Sequence, residues 1–267
     1  MPGTVRYETA DRIATITLDN PAALNAFDHG MCLELKRIWA DVEANPEVAC
    51  AIVTGAGDRA FCTGWDVTSL ATGESQKLVP GDRRSAPYGH ITALQCRCWK
   101  PVITAVNGLC NGGGLHFVAD SELVIAAEHA AFMDTHVAVG LPSALEPAGL
   151  ARRIPLERVF RLALLGKHGR MSAREALALG LVGEVVAAPD LASRARELAT
   201  VVAQHSPTAL ARTKRAIWES LDQGLSDGLD AAHVQVERHL AHPDPIEGAK
   251  AFLEKRSPRW APYRGTD

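Results

Sequence analysis

Short apolar runs in the first half of the chain alternate with stretches of helical spacing. The runs predict strands, which lie at residues 12–18, 49–54, 101–106 and 123–126. Apolar positions three and four residues apart predict a helix from about Asp28 to Asn45. Three of the strands are continuously apolar, which is typical of strands covered on both faces. The pattern therefore predicts an α/β fold.

The second half is mostly helical in its spacing from about Pro155 onward. Helices are predicted at residues 156–165, 173–179, 190–205, 208–221 and 230–240, with one short strand at 184–186. We therefore divide the chain into a core of residues 1–200 and a helical C-terminal region of residues 201–267. The polar stretch 70–90 has neither pattern, and a loop of that length is usually functional or mobile.

Composition narrows the class of protein. The chain has 267 residues, of which 47% are hydrophobic, so it can bury a sizeable core. Its 28 Lys+Arg against 31 Asp+Glu give a net charge of −3, which argues against a nucleic-acid partner. No apolar stretch approaches the ~20 residues of a membrane span, and the N-terminus lacks a signal sequence. We expect a cytoplasmic protein with no membrane partner, six buried thiols and no metal site.

Two glycine-bearing turns follow predicted strands. Residues 60–67 come after the strand that ends at Thr54, and residues 107–114 come after the strand that ends at Val106. Ligands of α/β sheets bind beyond the carboxyl ends of strands. The glycines at 112–114 precede a predicted helix at residues 115–119, where unpaired N–H groups suit a phosphate or a developing oxyanion. Neither turn fits a dinucleotide or P-loop fingerprint, and simple turn formation is the alternative for each.

Several segments together resemble the enoyl-CoA hydratase/isomerase, or crotonase, superfamily over nearly the whole chain. They are Asn20 to Ala26, Ile52 to Gly55, Ala60 to Asp66, Pro101 to Gly114, Met171 to Ala173, Gly180 to Val182 and Ala251 to Pro258. The resemblance implies a crotonase-like spiral of ββα units, followed by a helical C-terminal region that serves trimerisation and covers the pocket. It also implies a homotrimer or a hexamer.

The same resemblance implies a lyase or isomerase that acts on acyl-CoA thioesters. Coenzyme A would enter as part of the substrate, and no cofactor would be bound permanently. The backbone N–H groups of Trp65 and Gly113 would hold the thioester oxygen of the enolate. The implied contacts with coenzyme A are at Leu24, Ala60, Phe61, Gly64, Asp66, Val67 and Gly112.

The chain departs from the family pattern at both acid–base positions. Hydratases of the family carry a glutamate three residues beyond the middle glycine, where this chain has His116. The second glutamate belongs at the end of a Phe-Gly-x-Pro-Glu segment, which here ends in His136. We interpret both histidines as the groups that transfer protons or activate water. Glu146, in a segment that has lost the family's glycines, is a third candidate.

Alternatives remain for these residues and for the activity. Either histidine could be structural, and Asp134 is read as a solvated turn residue rather than as a carboxylate that orients a histidine. Asp66 is expected to hold its loop by bonds to the backbone. Hydrolytic C–C cleavage of a β-dicarbonyl or β-keto thioester is the second candidate activity. A non-catalytic acyl-CoA-binding protein is the third candidate.

Overall fold

Two β-sheets form the framework of the computed structural model, which describes residues 3–72 and 90–266. The strands are β1 (Thr4–Ala10), β2 (Ile13–Asp19), β3 (Cys50–Gly55), β4 (Ala60–Cys62), β5 (Val102–Val106), β6 (Leu109–Asn111), β7 (Leu123–Ala127), β8 (Ala131–Met133), β9 (Met171–Ser172) and β10 (Glu184–Val186). The larger sheet has the order β1-β2-β3-β5-β7-β10, and the smaller has the order β4-β6-β8-β9. All neighbours are parallel except β1 with β2 and β8 with β9.

Helices join and cover these strands. They are α1 (His29–Ala44), α2 (Val67–Ala71), α3 (Leu115–Asp120), α4 (Leu145–Leu150), α5 (Leu156–Leu165), α6 (Ala173–Ala178), α7 (Leu191–Ala203), α8 (Pro207–Ser220), α9 (Leu225–Leu240) and α10 (Asp244–Glu254). Local chemistry sets several of their ends. The Asp28 side chain accepts a hydrogen bond from the Met31 N–H at 2.8 Å and so caps the start of α1. Ser172 and Glu175 form a reciprocal capping box at the start of α6.

Each successive unit of the core places one strand in each sheet. The pairs β3/β4, β5/β6 and β7/β8 follow one another along the chain, and the members of each pair lie in the larger and the smaller sheet respectively. Because the units stack in parallel, the chain advances as a spiral. The predicted α/β fold with a crotonase-like spiral and a helical C-terminal region is confirmed.

Apolar packing covers both faces of the larger sheet. One cluster includes Ile16 and Val53 of the sheet together with Leu35 and Trp39 of α1. Another joins residues on the opposite face, such as Ile103, to α7. All six cysteines are free thiols, five of them buried and Cys96 half-buried. Within residues 3–72 and 90–266, no helix has the length and apolar character needed to span a membrane.

The structure corrects the secondary-structure predictions at several elements. Strands β4, β6 and β8 have three residues each and were missed, so each of the predicted turns at 60–67 and 107–114 contains a short strand. Three residues carry too little pattern to identify a strand. Helix α9 begins at Leu225 rather than at residue 230. The elements β1, β9, α2, α4 and α10 were not predicted. Of the polar stretch 70–90, residues 73–89 lie outside the described residues.

Candidate active site

Gly64 and Gly113 lie in direct contact, each two residues beyond the end of its strand, β4 and β6 respectively. Gly64 has a φ of +86°, and a Cβ built there would lie 2.7 Å from the backbone nitrogen of Gly113. A Cβ on Gly113 would lie 2.6 Å from Cζ of Phe27. Both distances are too short for a real side chain, so glycine is the residue that fits at each position. The two predicted turns therefore meet at one point of the structure.

Backbone pairing sets the direction of the Trp65 N–H group. The Phe27 N–H donates to the Gly64 carbonyl at 2.9 Å, and the Asp66 N–H donates to the Phe27 carbonyl at 3.0 Å. The N–H of Trp65 lies between these two bonds and so faces the other side of the strand. Gly113 lies in a 3₁₀ turn, Gly112–Gly114, which leads into α3. The first N–H groups of a helical segment have no partner within it.

A cavity of about 60 Å³ lies beside this pair of glycine turns. It is lined by Thr63, Trp65, Val67, Asn111, Gly112, Gly113, Thr135, His136, Val139 and Leu141. The His136 ring lies against the glycine turn, since a Cβ on Gly112 would be 3.4 Å from its Cε1. The structure thus brings the predicted oxyanion residues and one predicted acid–base residue to the same small cavity.

Asp134 holds His136 in place from behind. Its Oδ1 accepts from the ring Nδ1 at 2.7 Å and from the backbone N–H of the same histidine at 2.9 Å. Its Oδ2 accepts from the Ser143 hydroxyl at 2.7 Å. Burial raises the pKa of Asp134, but these bonds outweigh burial and lower the pKa overall. The reading of Asp134 as a solvated turn residue is wrong: the carboxylate is fully buried and orients a histidine.

Glu146 lies between the two histidines. Its Oε1 is 3.3 Å from Nε2 of His116 and 3.9 Å from Nε2 of His136. The side chains of His116 and Glu146 are 9% and 8% exposed, whereas that of His136 is 22% exposed. The structure therefore joins all three predicted acid–base candidates into one cluster, in which His136 is the most accessible member.

The carboxylates and imidazoles of this cluster stabilise one another's charged forms. The hydrogen bond to Asp134 raises the pKa of His136, burial opposes it, and the charge of Glu146 adds to the increase. Burial lowers the pKa of His116, but the hydrogen bond and charge of Glu146 outweigh it and raise the pKa overall. Burial also raises the pKa of Glu146, but the hydrogen bond from His116 and the charges of the two histidines outweigh burial and lower the pKa overall. Both carboxylates are therefore held ionised beside imidazoles that protonate readily.

The same cluster contains a possible metal-binding group. Ligand atoms of Asp134, His136 and Glu146 lie within 4.8 Å of one another. The two oxygens of Asp134 already accept hydrogen bonds from Ser143 and His136, so a metal ion would have to replace those bonds. The donor set fits a hydrogen-bonded acid–base network better than a metal centre.

Sequence reasoning missed two residues that hold the cluster together. Ser143 binds Asp134, as described above. Gln95, from the segment before β5, places its Nε2 3.3 Å from Nδ1 of His116. Nothing in the sequence around residue 95 has a regular pattern, and it lies 21 positions before its partner. No local signal could have identified this contact.

The predicted coenzyme A contacts surround the glycine turns in different ways. Ala60 and Phe61 are buried in β4, so their side chains pack in the core. Leu24 accepts a hydrogen bond from the hydroxyl of Thr63, which lines the cavity. Asp66 accepts from the Thr68 N–H at 3.0 Å, which is the loop-holding bond expected of it. Val67 is 59% exposed at the cavity rim.

Comparisons with known proteins match this fold. The family model described as enoyl-CoA hydratase/isomerase matches residues 8–262. The chain is 34% identical to (E)-benzylidenesuccinyl-CoA hydratase of Thauera aromatica over 95% of this chain and 97% of the relative. It is 32% identical to carnitinyl-CoA dehydratase of Proteus mirabilis over 97% and 99% of the two chains. A solved enoyl-CoA hydratase/isomerase from Mycobacterium paratuberculosis superposes with a TM-score of 0.90 at 39% identity, covering 97% of this chain and 98% of that one. The chain therefore belongs to the enoyl-CoA hydratase/isomerase family, within the crotonase superfamily.

Proposed function

We propose that this protein adds water to, or removes it from, an acyl-CoA thioester by way of a thioester enolate. The observation that carries the proposal is the contact between the Gly64 and Gly113 turns beside His136. Relatives named as a hydratase and a dehydratase of CoA thioesters support the same reaction class. The substrate class would be an enoyl-CoA or the corresponding hydroxyacyl-CoA.

The backbone N–H groups of Trp65 and Gly113 would hold the thioester oxygen. An enolate places most of its negative charge on that oxygen, while the ground-state carbonyl oxygen carries only a small partial charge. Donors fixed by the backbone need no reorganisation when the charge develops, so they stabilise the enolate more than the substrate. The close contact of Gly64 with Gly113 is what sets the spacing of the two donors.

His136 would move the proton. In hydration, a water molecule gives a proton to Nε2 of His136 while its oxygen bonds to Cβ of the enoyl group. The electron pair of the Cα=Cβ bond forms a double bond between Cα and the carbonyl carbon, and the pair of the C=O bond moves to the thioester oxygen, which gives the enolate. The imidazolium then returns a proton to Cα, which restores the thioester and the neutral ring. Glu146, held by His116, would support this transfer from the Nε2 side of the His136 ring.

A second reaction is favoured by the Asp134–His136 pair. A histidine oriented by a buried carboxylate is the arrangement that activates a nucleophile for attack on a carbonyl. Water activated in this way could cleave the C–C bond of a β-dicarbonyl or β-keto thioester. The acyl fragment would leave as a carboxylic acid, and the enolate of the other fragment would be protonated.

The proposal is tested by incubating the purified protein with a panel of enoyl-, hydroxyacyl-, β-keto- and acyl-CoA thioesters. Loss of the enoyl absorbance, with a mass gain of one water, is the expected result. Two shorter products from a β-keto substrate would instead establish C–C hydrolysis. Tight binding of CoA thioesters without turnover of any would contradict both reactions. The remaining hypothesis would then be a non-catalytic acyl-CoA-binding protein.

The C-terminal helices carry an apolar surface that an oligomer would cover. Exposed apolar side chains on α8 to α10 include Ile217, Leu225, Leu229, Val236, Leu240, Phe252 and Leu253. A cavity of about 330 Å³ between α8 and α9 is lined partly by the same side chains. Apolar surface of this extent on neighbouring helices is typical of an interface. We propose that these helices, in the predicted region 201–267, form the contacts of a homotrimer or a hexamer.

Light scattering at micromolar concentration should therefore give three or six times the chain mass of 28.5 kDa. Leu229→Asp should lower the measured mass, because it places a charge in the proposed interface. Leu33→Asp, which changes an exposed leucine of α1, is the matched control and should leave the mass unchanged. A monomer mass for the wild-type protein would overturn the proposed assembly.

A further inference from the structure

The side-chain amide of Gln95 has only one orientation that its neighbours allow. Its Oε1 accepts from the Ile91 N–H at 3.0 Å and lies 3.4 Å from the backbone nitrogen of Thr92. Backbone N–H groups can only donate, so the amide oxygen and not the NH₂ group must face them. The NH₂ group is therefore the end that faces His116, at 3.3 Å from Nδ1.

This orientation selects one tautomer of His116. An amide NH₂ group only donates, so Nδ1 of His116 must present its lone pair, and the ring proton must be on Nε2. Nε2 faces Oε1 of Glu146 at 3.3 Å, and a carboxylate only accepts. Both neighbours of the ring therefore favour the same tautomer. A proton on Nδ1 of His116 would face the NH₂ group of Gln95, so two donors would meet. Gln95 therefore disfavours the charged form of the His116 ring, which the charges of Glu146 and Asp120 favour.

Asp134 selects the opposite tautomer of His136. The carboxylate oxygen 2.7 Å from Nδ1 can only accept, so the proton of the neutral ring is on Nδ1. Nε2 then carries the lone pair. It lies 3.9 Å from Oε1 of Glu146, which is too far for a hydrogen bond, and its ring lines the cavity beside Gly112.

We infer that Gln95 and Asp134 are positioning residues that hold the two histidines in opposite tautomers and so give them different roles. His136 presents a lone pair and accepts the proton. His116 presents an N–H group that keeps Glu146 ionised and directed at His136. When His136 takes a proton, the new N–H faces the carboxylate of Glu146, which stabilises the imidazolium. The division of roles rests on the proposed function, whereas the tautomers do not.

The tautomers can be measured without a substrate. Protein labelled with ¹⁵N in the histidine rings reports by NMR which nitrogen carries the proton, and His116→Gln and His136→Gln assign the signals. At a pH where both rings are neutral, we expect the proton on Nε2 of His116 and on Nδ1 of His136. The same protonated nitrogen in both rings would contradict the inference.

Gln95→Glu tests the positioning role, because it replaces the donor by an acceptor of the same shape. The His116 proton should move to Nδ1 or occupy both nitrogens, the His136 signals should stay in place, and kcat should fall by about 10²-fold. Gln204→Glu, at an exposed glutamine where α7 ends, is the matched control and should change neither the His116 signals nor kcat. Unchanged His116 signals in folded Gln95→Glu would overturn the inference.

Gln95→Met provides a second route if the added charge disturbs folding. It removes the donor without adding an acceptor, so an NMR titration should give a higher pKa for His116 than in the wild type. Glu146, Asp120 and His136 still act on the ring in both proteins, so the difference reports on Gln95 alone. An unchanged titration would contradict the role of Gln95. The protein could show the expected tautomers and yet turn over no CoA thioester. That result would overturn the proposed function and the division of catalytic roles, but it would leave the tautomer assignment intact.

Discussion

His136→Gln should lower kcat by about 10²- to 10⁴-fold on the substrate that the panel identifies. Glutamine keeps the approximate size of the side chain and some hydrogen bonding, but it cannot take up a proton, and this range is typical of losing a general base. Binding of the CoA thioester should change little, because the proposed oxyanion donors are backbone groups. Steady-state kinetics together with a dissociation constant for the substrate would separate the two effects.

His168→Gln is the matched control, since His168 is exposed in the 3₁₀ turn Gly166–Gly169. It should retain the wild-type rate. A folded His136→Gln protein with the same rate would show that His136 is structural. The base would then have to be sought at Glu146 or within residues 70–90.

The pH dependence of the rate should report the protonation state of His136. A base acts in its neutral form, so kcat/KM should rise with pH as His136 loses its proton. Because Asp134 and Glu146 raise the pKa of His136, this rise should lie above the ordinary histidine value of about 6.5. Asp134→Asn removes one of the two charges and should move the rise to lower pH while also lowering the rate.

Several of the longer elements could be predicted because their patterns extend over enough residues, although β1 and α10 were missed. β3, β5 and β7 each have five or six residues, and α1 repeats its apolar face over four turns. The smaller sheet could not be predicted, because strands of three residues have no measurable period. This sheet nevertheless positions the site, since β4 and β6 lead into the two glycine turns.

Only those residues of the candidate site that stand at positions of the family's motifs could be predicted from the sequence. His116 and His136 stand where the family has glutamates, so a comparison of motifs marks them. Their arrangement depends on side-chain directions that no motif contains. Gln95 meets His116 across 21 positions, and Asp134 is buried by tertiary packing although its neighbours suggest a turn.

The site combines two carboxylates with two imidazoles. The pKa values of Asp134 and Glu146 are both lowered, and each carboxylate has a histidine nitrogen nearby. A proton taken up by His136 is therefore stabilised by charges that are already in place. In the proposed reaction, a site with two glutamates alone would hold that proton on a carboxylate, whereas this site would hold it on an imidazole.

Gly113→Pro should reduce kcat by about 10²- to 10³-fold relative to Gly113→Ala, because proline removes the N–H group proposed to hold the enolate oxygen. The comparison with alanine is needed because either substitution adds a Cβ 2.6 Å from Cζ of Phe27. Introducing Phe27→Leu into both variants removes the Cζ atom that makes that contact. Circular dichroism checks the fold, and the ratio of the two rates then reports the donor rather than the packing. Equal rates in the two folded variants would mean that the Gly113 N–H does not contact the reacting oxygen, and the oxyanion site would then have to lie elsewhere.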